Sequence, residues 1–213
     1  MTTQLHLLNV RGQFDAIRRR VEDCFSLAVE QISRLLPLSS VDVVVYVDPE
    51  HVIPETGMGG YSPSADRIFI ALDPENVKFQ NDFEAEFVTT LGHELHHCTR
   101  RSGPGYGHTL GEALETEGLA CHFETELRAG AVPFYARALT HEALEALRVR
   151  AQAEPTQRSY DHRAWFFGSV ERDIPRHAGY SLGYSVVSQF IEQHGIPASK
   201  LWAEPAERFY AGA

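Results

Sequence analysis

The sequence predicts an α+β fold, with a small β-sheet beside a mainly helical remainder. Two short β-branched runs, VDVVVYV at 41–47 and RIFIAL at 67–72, are each closed by Asp-Pro, the pattern of short strands. Before the first run and after the second, apolar positions recur at helical spacing instead. Few strands and many helices, with no repeat or low-complexity tract, make an α+β domain.

Taken in order, Phe14, Ile17, Val21, Phe25, Val29, Ile32 and Leu36 mark a first helix over 13–36, which Pro37 ends. The strand at 41–47 follows. GMGGYSPSAD, 57–66, carries the glycines, proline and small polar residues of a loop. After RIFIAL, Asn81 with Glu84 resembles a capping box, and Phe83, Phe87, Val88, Leu91 and Leu95 continue as a helix. RSGPGYGH, 101–108, reads as a connection. Thr109 with Glu112 is a second capping box, opening a helix to about Arg128. Further helices are expected over 134–151, around Trp165 and Phe166, and over 178–194, the last ended by Gly195 and Pro197. EPTQRS, 154–159, reads as a short polar break. Trp165, Phe166 and Phe167 read as core more readily than as a cleft wall.

A length of 213 residues suits one domain over 1–213, with a helical C-terminal lobe from about 155 as the alternative division. A net charge of -10 argues against nucleic acid as a partner, and Arg18-Arg19-Arg20 reads as a solvated helix face. No stretch reaches the roughly 18 unbroken apolar residues of a membrane span, and the first residues lack the features of a signal peptide. Cys24, Cys98 and Cys121 have no paired spacing, which points to reduced thiols and a cytoplasmic location.

The stretch LGHELHHC, 91–98, holds three histidines and a glutamate within five positions. His93 and His97 are four apart, so on a helix they share a face, about 5–6 Å apart at Cβ, and can turn two imidazoles to one metal ion. Glu94 lies one step round, where a base for a metal-activated water belongs. His96 points elsewhere and is not needed. The competing reading is a helix that merely carries surface histidines. Zinc at a catalytic site takes three protein ligands and leaves a fourth position open. A metzincin pattern would need a glycine and a histidine where Arg100 and Gly103 stand, and it fails. His108 lies in a glycine-rich loop. At about 100° per residue, Leu110, Ala113, Leu114, Ala120, Cys121 and Glu124 fall within about 60° of Glu117, with Glu112 and Glu115 opposite. Glu117 is thus a carboxylate within an apolar stripe, where an unpaired charge is costly. Metal binding is the favoured account, a core salt bridge the plain one, and Glu124 the reserve ligand.

GHELHH, then EGLA at 117–120 and GYSLGYSVV at 179–187, resemble a gluzincin-type family of predicted zinc-dependent proteases, distantly thermolysin-like, over roughly 57–195. The resemblance implies a zincin-like metallopeptidase domain, Zn2+ on His93, His97 and Glu117, and a catalytic Glu94. Thermolysin-like enzymes carry an aspartate where this chain has Cys121, so support for the ligands must come from Glu124, a backbone carbonyl or a water.

The expected activity is hydrolysis of peptide bonds by a zinc-bound water, with Glu94 as general base, on peptides or unfolded protein segments. Tyr180, Tyr184 and His177 are candidates to stabilise the oxyanion; packing is the competing role for each. In gluzincins a sheet edge pairs with the extended substrate, a role open to RIFIAL, with GMGGYSP as the cleft rim. The alternatives are a zinc-bearing binding or regulatory module without proteolysis, and a zinc hydrolase of a small amide. An intact Glu94 favours catalysis, because a purely structural zinc site needs no base.

Overall fold

In the computed structural model, VDVVVYV and RIFIAL form neighbouring strands, as their alternation and β-branching require. The structure describes residues 2–152 and 160–210, with the side chain of residue 152 outside the description. The expected break at 154–159 lies outside the described residues. The chain divides into two units, residues 1–102 and 103–213, and the α+β class holds.

The first unit contains the sheet. Strand β1 (Thr3–Leu7), which the sequence reading did not anticipate, pairs in parallel with β2 (Val41–Val47). β2 pairs in parallel with β4 (Arg67–Leu72), and β4 pairs antiparallel with β3 (Met58–Ser64), giving the order β1-β2-β4-β3. Val41, Val43 and Val45 point to the core while Asp42 stays exposed.

Two expectations are corrected in the sheet. RIFIAL is an inner strand with both edges paired, so it cannot accept a substrate strand. Most of the expected loop 57–66 is instead the edge strand β3, with turns only at Gly57 and at residues 65–66. An edge tolerates Pro63, which has no amide hydrogen to give, and the register slips between Tyr61 and Ser64 as at a bulge.

Helix α1 spans Arg18–Ser33, shorter than the expected 13–36. Asn9 accounts for the late start: its Oδ1 accepts from the Phe14 amide at 2.7 Å and its Nδ2 donates to Asp15 at 2.8 Å, holding residues 9–17 in turns around a fully buried Phe14. Arg18 and Arg19 pair with Glu22 and Asp23 on the exposed face. Arg20 instead clamps Glu84 at 2.6 and 2.9 Å.

Glu84 is therefore committed to Arg20 and does not close the expected capping box at Asn81. Helix α2 spans Val77–Arg101 and is capped by Asn76, which accepts from the amides of Lys78 and Phe79 at 2.8 and 3.4 Å. The backbone leaves helical geometry at Asp82 (φ -124°, ψ 20°), so α2 is two segments joined at a kink next to the expected start. Phe83, Phe87, Leu91 and Leu95 are fully buried, and α2 packs on α1, β3 and β4.

The second unit is helical. α3 (Leu110–Leu127) opens with the expected Thr109–Glu112 capping box. The expected helix 134–151 is broken: a 3-10 turn over Phe134–Arg137 precedes α4 (His141–Gln152). α5 (His162–Phe167), α6 (Ala178–His194) and the short α7 (Glu207–Tyr210) complete it. α6 ends at Gly195 with φ 67°, a left-handed cap that glycine adopts without penalty. Trp165 and Phe166 are core, whereas Phe167 is 59% exposed.

α3 and α6 cross with their backbones in close approach. A Cβ at Gly118 would run into the Gly183 carbonyl, and a Cβ at Gly183 into the Leu114 carbonyl. This explains physically why EGLA and GYSLGYSVV carry glycine where they do. It also corrects the helical projection, because α3 is covered almost all round and Glu115, placed on the outer side, is fully buried.

Candidate metal centre

Helical spacing places His93 and His97 as expected. Their ring centroids lie 4.6 Å apart at an interplanar angle of 86°. His93, Glu94, His96 and His97 are all buried, which sets aside a helix with surface histidines. Glu94 reaches to the edge strand: a Cβ at Gly60 would stand 2.6 Å from its Oε1 and 2.7 Å from its Cγ. Glycine at 60 is therefore what leaves room for the carboxylate. Cys98 turns toward the sheet, its Sγ 3.4 Å from the Ser64 carbonyl, and burial pushes its thiol up to about 12.

In the second unit, Glu117 is buried on α3 and accepts a hydrogen bond from the Tyr106 hydroxyl at 2.5 Å. Burial, then the charge of Glu117, raises the Tyr106 phenol well above its usual value. Glu124, also buried, accepts from the Tyr135 hydroxyl. Cys121, on the same side of α3, is buried, and its thiol is raised first by burial and then by Glu124 and Glu117. His108 is exposed, and its amide donates to Glu112 at 2.8 Å as part of the helix cap.

The three candidate donors near α6 have different surroundings. Tyr180 packs between Tyr135 (5.1 Å) and Phe166 (5.0 Å). His177 is buried beside Phe134 and Tyr135 and holds a left-handed backbone, φ 68° and ψ 15°, uncommon outside glycine. Tyr184 stacks flat on His122 at 3.8 Å and 3°, and Thr125 lies 3.5 Å from its hydroxyl. His122 is about 140° round α3 from Glu117, so Tyr184 occupies a different side of that helix from the buried acid.

The sequence reading missed Tyr106, Tyr135 and Gly60. The clue to Tyr106 was its place between two glycines in GPGYGH.

A His/His/Glu donor set suits zinc. Within the first unit, the paired imidazoles and the glycine that clears space at Glu94 fit a metal-activated hydrolytic centre. No helix among the described residues is long and apolar enough to cross a membrane. No curated protein and no solved structure matches the chain. The model of a family described as "Predicted Zn-dependent protease (DUF2268)" matches residues 21–211. That span takes in the H-E-x-x-H helix, the buried Glu117 and the α6 glycines, and the chain belongs to this family.

Proposed function

We propose that the protein is a zinc metallopeptidase of gluzincin type, with His93, His97 and Glu117 as zinc ligands and Glu94 as general base. The observation that carries this reading is the buried imidazole pair on one face of α2, with Glu94 directed to the one position of β3 where only glycine leaves it room. Zinc, when bound, polarises a carbonyl and makes water acidic enough to ionise near neutral pH.

The remaining work falls to the protein. Glu94 takes the proton of the attacking water and gives it to the departing amine, so the scissile C–N bond breaks without releasing a free amide anion. The edge strand β3 supplies backbone groups to an extended peptide passing Gly60, so that the scissile bond lies beside Glu94. Tyr180 and His177 are the donors proposed for the developing oxyanion. Tyr184, stacked on His122, is assigned to packing. The substrates are peptides or unfolded protein segments, whose extended backbone suits an edge strand. The three free cysteines fit a reducing, cytoplasmic setting.

The test is metal analysis together with digestion of a peptide library. Wild type should hold about one zinc per chain, and Glu117→Ala should lose it. Glu94→Gln should keep zinc and lose cleavage by about 10²-fold or more. Cleavage by Glu94→Gln at the wild-type rate would refute the mechanism. Zinc binding with no cleavage of any peptide would favour the binding module.

A further inference from the structure

Resting on Glu117 as a zinc ligand, we infer that Tyr106 is the positioning residue that fixes the Glu117 carboxylate for the metal. The Tyr106 hydroxyl donates to Oε1 of Glu117 at 2.5 Å. A hydrogen bond to one oxygen restricts the rotation of a carboxylate and so sets the direction in which it can ligate a cation. A phenol suits this task better than arginine or lysine. It gives a hydrogen bond without a positive charge, so the carboxylate keeps the negative charge that attracts the metal.

The loop that presents Tyr106 is built to hold it. Gly105 and Gly107, on either side, have φ of 92° and 94°, a region that residues with a Cβ rarely adopt. A side chain at Gly107 would also collide with Glu112. Glu112 in turn accepts from the amides of His108 and Thr109 at 2.8 Å each, tying the loop to the start of α3. The Tyr106 carbonyl accepts from the Thr116 hydroxyl at 3.1 Å, and Thr116 is the neighbour of Glu117. Both ends of Tyr106 are thus fastened to the turn of α3 that carries the ligand. This supplies ligand support in a chain where Cys121 replaces the aspartate of the thermolysin-like pattern.

The experiment measures zinc affinity by competition with a chromophoric chelator, and the visible spectrum of the Co(II)-substituted protein, in full-length variants. Tyr106→Phe should weaken zinc binding by about 10–100-fold and change the cobalt spectrum. Tyr210→Phe is the control: it removes a 2.8 Å hydrogen bond to Gly111 on the same helix, away from Glu117, and should change neither measurement. If Tyr106→Phe binds zinc within about twofold of wild type with an unchanged spectrum, while Glu117→Ala loses zinc, the positioning role is wrong and the metal reading stands. If wild type binds no zinc, or Glu117→Ala binds it as tightly, both fall together. Should Tyr106→Phe fail to fold, Thr116→Val decides. It frees the tyrosine backbone and leaves the phenol, so a loss of several-fold in affinity supports the inference and unchanged affinity overturns it.

Discussion

Helices α2 and α3 each carry candidate ligands, but they hold their polar groups in different ways. On α2, one local repeat produces the arrangement: residues four apart share a face, and Glu94, the proposed base, lies one step round. α3 is buried almost all round, and its acids at 115, 117 and 124 lie against hydroxyls of Thr116, Tyr106 and Tyr135. Two of those hydroxyls come from outside the helix. An imidazole pair on one helix face can thus follow from helical periodicity alone, whereas buried carboxylates depend on donors that tertiary packing must deliver.

The sharpest way to break the contrast is to disturb the crossing that buries α3. Gly118→Val places a side chain against the Gly183 carbonyl and should destabilise the protein by about 3 kcal/mol, seen as a lower thermal midpoint or loss of soluble protein. A wild-type midpoint would mean that α3 and α6 do not approach as closely as described.

Next comes pH. Burial lowers His122 to about 4, and it is held by the Tyr184 carbonyl and Ser188 hydroxyl, each at 3.0 Å. The unfolded chain, with an ordinary histidine near 6.5, takes up the proton first as pH falls. This group's contribution is therefore fully present above about pH 6.5, is lost as pH drops toward 4, and is level below that. The loss is on the order of 3 kcal/mol. Urea titrations between pH 7 and 4 should show this slope, reduced in His122→Gln; the same slope in both proteins would rule the assignment out.

On the α2 side the expected damage falls on reactivity instead. Gly60→Ala should push Glu94 aside and lower kcat about 10–100-fold, while zinc content and the thermal midpoint stay near wild type. Full activity in that variant would show that Glu94 can be displaced without consequence.

The smallest effects are at the two helix starts, where the helices behave alike. Asn76→Ala and Thr109→Ala each remove a side-chain cap and should each cost about 1 kcal/mol in denaturant unfolding. A cap on α3 worth several times that on α2 would mean that the Tyr106 loop depends on it.

Much of this was legible in the residues. The inner strands, the Thr109 cap, the end of α6 at Gly195 and the burial of Glu117 followed from local chemistry: β-branching, a side-chain oxygen for free amides, a glycine for a left-handed turn, and a periodic apolar stripe. The misses share a cause. β3 looked like a loop because its glycines and proline are tolerated only at a sheet edge, and Gly60 has meaning only against Glu94. Glu84 looked like a cap partner until Arg20, from another helix, claimed it. Glu115 looked exposed because a single projected stripe cannot reveal that neighbours cover the opposite side as well.

What the sequence by itself determined is the set of chemical groups and their spacing along each helix, because helical geometry depends only on neighbours a few positions apart. The tertiary structure decided how far round each helix is covered, which hydroxyl serves which carboxylate, and where a backbone must come close enough to exclude a side chain. Those outcomes depend on contacts between segments distant in the chain, formed by packing that no local pattern records.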